Sequence, residues 1–121
     1  LEIWDGAHNL AGLGYLLPRL PGREDWVVVA SILEDKRPDL MLEALSVLGP
    51  HLVATQSANA RAVPAGELGR RAEPYFRHVD AVADPGEARA QALALAGPEG
   101  AVVVTGSLYL LAELSGAGDP S

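Results

Sequence analysis

Apolar residues fall along this chain in two kinds of pattern: short unbroken runs rich in β-branched residues, and stripes spaced by three and four. An unbroken run suits a strand covered on both faces, and the three-four spacing suits one face of a helix. The first run, Leu1 to Trp4, meets a turn at Asp5-Gly6. Leu10, Leu13, Leu16, Leu17 and Leu20 then form a helical stripe, entered through Asn9 as N-cap and stopped by Pro21-Gly22. Asp25 to Ile32 predicts a second strand, followed by the charged turn Glu34-Asp35-Lys36-Arg37. Pro38 suits a first helical position, with Leu40, Leu42, Leu45 and Leu48 as the apolar face up to a break at Gly49-Pro50. His51 to Thr55 predicts a third strand, Gln56 to Val63 a polar loop, and Pro64 to Leu68 the start of a short helix. A fourth strand is expected over Arg77 to Val82. Asp84-Pro85-Gly86-Glu87 then reads as N-cap, proline at the first helical position and glutamate at the third, opening an alanine-rich helix to Leu95. Gly100 to Thr105 predicts a fifth strand, and Gly106-Ser107 leads into a helix carrying Leu108, Leu111, Ala112 and Leu114. The tail from Gly116 to Ser121 is expected to fray.

Five strand-then-helix units joined by short loops predict a three-layer, Rossmann-like α/β domain. Its sheet should be mainly parallel, of about five to six strands flanked by helices, with right-handed crossovers. Ligands of such sheets bind outside the carboxyl ends of the strands. That directs attention to four loops leaving one edge: Asp5–Asn9, Ser31–Arg37, Thr55–Arg61 and Thr105–Ser107.

With 121 residues, the chain is the length of one domain. Nine Lys and Arg against 16 Asp and Glu, a net charge of −7, argue against a nucleic acid or an anionic membrane gripped by a broad basic patch. A local anion site stays open. The absence of cysteine excludes disulfides and thiolate metal sites, and three scattered histidines make no zinc site, so no metal is expected on this chain. No apolar run reaches the roughly 18–20 residues of a membrane-spanning helix, and the first residues are not a secretory leader, so the chain reads as soluble and cytoplasmic. Its start in mid-strand at Leu1 gives the expectation of a domain cut from a longer protein.

Asp5-Gly6-Ala7-His8-Asn9 places a carboxylate, an imidazole and a carboxamide where a strand turns into a helix. Asp5 can accept hydrogen bonds from ribose hydroxyls, and His8 or Asn9 can donate to a bound oxygen; the alternative is a plain turn capped by Asn9. Lys36 is either part of a solvated charged turn or a mobile point charge for a carboxylate. Val104-Thr105-Gly106-Ser107 is either an anion cradle or a simple serine N-cap. Thr55, Asn59 and Arg61 lie on the polar loop at the same edge, Arg61 either exposed or meeting a phosphate or carboxylate. Gly12 and Gly14 lack the third glycine of a dinucleotide fingerprint and read as close-packing positions. Neither a phosphate loop nor a nucleophile elbow occurs.

Taken in order, D-G-A-H-N at Asp5–Asn9, the Asp35-Lys36 turn, the Thr-x-x-x-x-x-Arg loop from Thr55 to Arg61 and V-T-G-S-L-Y at Val104–Tyr109 resemble the C-terminal domain of folylpolyglutamate synthase / dihydrofolate synthase. That family belongs to the Mur ligase superfamily, and the resemblance covers essentially the whole chain as one domain, residues 1–121. It implies an ATP-dependent amide ligase that joins L-glutamate to folates, to dihydropteroate or to both through an acyl phosphate. ATP and Mg2+ would be held mainly by an N-terminal ATPase domain that this chain does not contain, and the isolated domain would be inactive. By resemblance, Asp5 and Asn9 would serve the nucleotide side, and His8 would lie near the phosphates and the acyl intermediate as the catalytic residue. Lys36, Ser107 and Arg61 would bind the substrate carboxylates. The partners implied are L-glutamate, the folate or dihydropteroate, ATP and the protein's own N-terminal domain, in a monomer. One departure is Arg37, where the family often has an acidic residue after the D-K pair. Two rival readings remain: the C-terminal domain of a Mur-type cell-wall ligase, and a non-catalytic α/β module binding a small anion.

Overall fold

The computed structural model describes residues 1–116, so the expected fraying of the tail past Gly116 lies outside the described residues. Five strands alternate with five helices: β1 (Glu2–Trp4), α1 (Leu10–Leu16), β2 (Trp26–Ala30), α2 (Pro38–Leu45), β3 (His51–Ala54), α3 (Ala65–Ala72), β4 (His78–Ala81), α4 (Pro85–Ala96), β5 (Ala101–Thr105) and α5 (Leu108–Ser115). All strand pairs are parallel, in the order β1-β5-β2-β3-β4. This is the expected α/β architecture with five strands.

The two apolar runs at the sheet's centre behave as their composition demands, because β2 and β5 are buried at every position. Val28 and Ala30 face one core, shared with Leu13 and Leu16 of α1, Met41, Leu42 and Leu45 of α2, and Leu68 of α3. Val27, Val29, Val102 and Val104 face the other, with Ala88 and Ala92 of α4 and Leu110 of α5. Helices therefore cover both sides, α1 to α3 on one and α4 and α5 on the other. The helix entries are those the sequence announces: the Asn9 carboxamide accepts from the Gly12 amide at 2.8 Å, and the Asp84 carboxylate from the Glu87 amide at 2.9 Å.

Some local expectations are corrected. Leu40 is exposed and Met41 takes its place in the core, because two positions around a helix are about 200° apart and Leu42 already faces the sheet. Gly14 is no packing position, since a β-carbon there would meet nothing within 4 Å. The α-helical part of α1 ends at Leu16, and Pro18, which lacks an amide hydrogen, turns residues Leu17–Arg19 into a 3-10 turn. β2 and β4 are shorter than the runs that predicted them.

The edge strand β1 is fixed to α4 by Arg89, whose Nη2 donates to Glu2 Oε1 at 2.8 Å, while Trp4 Nε1 donates to Glu2 Oε2 at 2.7 Å. The Arg89 hydrogen bond holds the Glu2 carboxyl below the usual carboxylate range, against the opposing effect of burial. β1 thereby gives the loop that follows it a fixed root.

Candidate functional site

Because all strands are parallel, the loops after β1, β2, β3 and β5 emerge on one edge. The connection from β2 leaves toward α2 and that from β5 toward α5, on opposite faces, although the two strands are hydrogen-bonded neighbours. A crevice at their carboxyl ends follows from that divergence.

The loops pair off. After β1, the Asp5 amide donates to the Val104 carbonyl at 2.9 Å and Asp5 Oδ1 accepts from the Ala7 amide at 2.9 Å. The Ala7 carbonyl in turn accepts from the Gly106 amide at 2.9 Å and from Thr105 Oγ1 at 3.4 Å. Gly106 has φ +104, and a β-carbon there would stand 2.5 Å from the Ser31 carbonyl oxygen. Only glycine lets β5 turn this close to the end of β2. On the other side, Leu33 and Ala62 form an antiparallel bridge between the loops after β2 and β3. The Glu34 amide donates to Arg61 O at 2.8 Å and the Val63 amide to Ile32 O at 2.9 Å. Arg61 Nη1 meets Asp35 Oδ2 at 2.9 Å, and Arg71 Nη2 meets Glu34 Oε1 at 3.0 Å.

Between these pairs lies a cleft of about 560 Å3, lined by His8, Leu33, Lys36, Arg61, Ser107, Leu108, Tyr109 and Ala112. Four of the residues singled out in the sequence thus meet, one from each of four loops. His8 is exposed, and its Nδ1 lies 3.2 Å from the Gly6 carbonyl. A carbonyl can only accept, so the neutral ring carries its proton on Nδ1 and leaves Nε2 as an acceptor. Ser107 is buried and caps α5, its Oγ accepting from the Tyr109 amide at 3.1 Å. The cap and cradle readings are compatible here, because an oxygen that accepts from the backbone still has its own hydrogen to donate. Arg61 keeps further guanidinium donors beyond the one held by Asp35.

Asp5 and Asn9 do not line this cleft. Asp5 is half-buried in its own turn, and Asn9 caps α1 beside a shallower cleft of about 320 Å3 formed with Leu10, Ala11, Asp35, Lys36 and Arg37. Thr55 is buried and donates to the Ala83 carbonyl at 3.1 Å, which makes it part of the β3–β4 framework. The apolar wall of Leu33, Leu108 and Ala112 was not anticipated. The sequence put Leu108 and Ala112 in the apolar set of α5, but Leu108 is exposed beside the serine cap and Leu110 is the leucine buried against the sheet. Cations, a hydroxyl and an apolar wall together suit a small ligand with an anionic head. Among the described residues, no group of three or more His, Cys, Asp or Glu side chains is arranged to hold a metal ion, and no helix is long and apolar enough to cross a membrane.

Residues 2–108 match the family described as Mur ligase, glutamate ligase domain. The chain belongs to that family. Among solved structures, this glutamate ligase domain resembles Mycobacterium tuberculosis folylpolyglutamate synthase complexed with ADP and AMPPCP, at 29% identity and a TM-score of 0.78, over 97% of this chain and 30% of that one. It also resembles E. coli FolC in complex with DHPP and ADP, at 25% identity and a TM-score of 0.83, over 98% of this chain and 28% of the other. A third similar structure is the bifunctional folylpolyglutamate synthase/dihydrofolate synthase of Yersinia pestis complexed with AMPPNP and Mn ion (26% identity, TM-score 0.81, 97% and 28% covered). The glutamate ligase domain therefore spans under a third of the length of these three proteins. A comparison with curated proteins gave no match.

Proposed function

We propose that this glutamate ligase domain is the amino-acid-binding, closing domain of an ATP-dependent ligase that adds L-glutamate to a folate, to dihydropteroate or to both. The observation that carries the reading is the meeting of His8, Lys36, Arg61 and Ser107 in one cleft at the carboxyl ends of the strands. The three similar ligases hold ligands of the matching kind: nucleotides in all of them, DHPP in one and Mn in another.

In this reading the carboxylate of the pteridine-bearing substrate is phosphorylated by ATP on an N-terminal ATPase domain, which also holds Mg2+. The glutamate amine then attacks the acyl phosphate; the C–N bond forms, the C–O bond to phosphate breaks, and inorganic phosphate leaves. An ammonium cannot attack, so the amine must first lose a proton. His8 Nε2, left as an acceptor by the Gly6 contact, takes it. Lys36, Arg61 and the Ser107 hydroxyl hold glutamate carboxylates, and the cleft's apolar wall excludes water from the reacting centre. Asp5 and Asn9 serve the nucleotide side: one Asp5 oxygen is used by the Ala7 amide, and the other is open to a ribose hydroxyl. Holding amine and acyl phosphate together supplies much of the rate, and it requires the two domains to close.

The test is ADP release by the full-length protein with ATP, Mg2+ and L-glutamate, adding tetrahydrofolate in one vessel and dihydropteroate in another. Release that needs glutamate and either pteridine supports the reading and tells which activity the protein carries. A folded protein with no pteridine-dependent release would refute it, and release with a UDP-sugar peptide in place of the pteridine would assign the chain to a cell-wall ligase.

A further inference from the structure

Leu108 stands apart from the other leucines of its helix. It opens α5 and is 59% exposed, whereas Leu110 is fully buried against the sheet, so core packing does not account for Leu108. Its side chain is nevertheless engaged. A β-carbon on Gly6 would collide with Leu108 Cδ2, stand 3.3 Å from its Cγ and meet Leu111 Cδ1 at 3.7 Å. The leucine thus fills the space beside the Gly6 α-carbon that any other residue would take with its own side chain.

Gly6 is the residue that orients His8. Its carbonyl lies 3.2 Å from His8 Nδ1, the one hydrogen bond that the exposed ring makes among the described residues. The same peptide unit is tied at its other end, because the Ala7 amide donates to Asp5 Oδ1 at 2.9 Å. The next peptide is held through the Ala7 carbonyl, which accepts from the Gly106 amide at 2.9 Å and from Thr105 Oγ1 at 3.4 Å. What these bonds leave loose is the glycine itself, whose backbone has the widest choice of conformations of any residue. A side chain packed over its α-carbon withdraws that choice.

We infer that Leu108 is a positioning residue for the amide-forming step: by packing on Gly6 it fixes the carbonyl that orients His8, and so keeps Nε2 in place as the proton acceptor. This rests on the ligase reading, and it gives the leucine of V-T-G-S-L-Y a task that burial does not explain.

The test uses the full-length protein with ATP, Mg2+ and its pteridine, and compares ADP release supported by L-glutamate with that supported by hydroxylamine. Either amine attacks the acyl phosphate through nitrogen; the C–N bond forms, the C–O bond to phosphate breaks, and inorganic phosphate leaves. Hydroxylamine is uncharged at neutral pH, whereas the glutamate ammonium must first give up a proton, so the ratio of the two turnovers reports on the proton acceptor. Loss of folded protein lowers both alike and cancels. In Leu108→Ala the ratio should fall about tenfold, with the KM for L-glutamate within about twofold of wild type. Leu108→Met, whose side chain is long enough to reach Gly6, should keep the ratio within about twofold. Added to His8→Ala, which lowers the ratio by itself, Leu108→Ala should lower it no further, because it acts through His8. An unchanged ratio in Leu108→Ala overturns the inference, as does a further fall in the His8→Ala background, which would make Leu108 only a wall of the cleft. A folded wild type that releases no ADP in response to pteridine and glutamate refutes the ligase reading and this inference with it, whereas an active wild type with an unmoved variant refutes this inference alone.

Discussion

Replacing Gly106 by alanine puts a defined obstacle at the root of the cleft. The new β-carbon would lie 2.5 Å from the Ser31 carbonyl oxygen and 3.3 Å from Ile32 Cγ1, at a φ of +104. The conformation alone costs about 1–2 kcal/mol. Relief of the backbone contact moves the peptide whose amide bonds the Ala7 carbonyl, a loss of about 1 kcal/mol. Against this, alanine reduces the freedom of the unfolded chain, worth about 0.4–1 kcal/mol in the folded state's favour. The net expectation is a destabilisation of about 1–2.6 kcal/mol, or a fall of about 4–10 °C in melting temperature for a domain of this size. Thermal unfolding followed by far-ultraviolet circular dichroism measures it. Gly14→Ala is the control, because Gly14 is exposed within α1 with nothing near its missing β-carbon, and it should gain about 0.5–1 kcal/mol. A Gly106→Ala melting temperature within about 2 °C of wild type would refute the reasoning, for it would mean that β5 and β2 can part at no cost.

His8→Ala should lower glutamate-dependent ADP release about 100-fold with little change in melting temperature, since the ring is exposed; near-normal turnover would remove its assignment as proton acceptor. Lys36→Ala and Ser107→Ala should each raise KM for L-glutamate about tenfold, and an effect on the KM for ATP alone would contradict their role. Asp5→Ala should act the other way round, on ATP, in the same steady-state assay. Glu2→Gln should flatten the acid limb of stability. Because the Arg89 hydrogen bond lowers the Glu2 pKa in the folded state, that carboxylate contributes stability above its ordinary pKa, and the contribution is lost as pH falls through the lowered one. Chemical denaturation at neutral and acid pH would show a wild-type loss that the variant lacks; equal losses would mean the pair contributes nothing.

What the sequence makes legible here is what depends on near neighbours. The unbroken Val-rich runs of β2 and β5, the Asn9 and Asp84 caps and the Gly49-Pro50 break all act within a few residues, and they stand where the pattern puts them. The grouping of His8, Lys36, Arg61 and Ser107 was legible one step further on, because parallel strands send their loops to a common edge. The rest depends on contacts between distant parts of the chain. The Leu33–Ala62 bridge has no local signature, and nothing in Glu34-Asp35-Lys36-Arg37 tells which acid will meet Arg61 or Arg71. Nor does an arginine announce a left-handed backbone such as Arg37 adopts just before α2. Leu40 was misread because helical spacing defines a stripe but not the angle at which the helix lands.

The pairing of the loops has a mechanical consequence. His8 and Ser107 belong to one laced unit and Lys36 and Arg61 to the other, with the two units meeting rigidly at their roots, where Ala30 pairs with Thr105. At their tips, Glu113 of α5 reaches across to the Ala58 amide at 2.8 Å. The cleft is thus a pair of jaws fixed on adjacent strands and tied at the tips, with the formal cations on one jaw and the imidazole and hydroxyl on the other. An anion that touched both jaws would bridge two units already joined at root and tip, so it would meet a site whose width the fold has set beforehand.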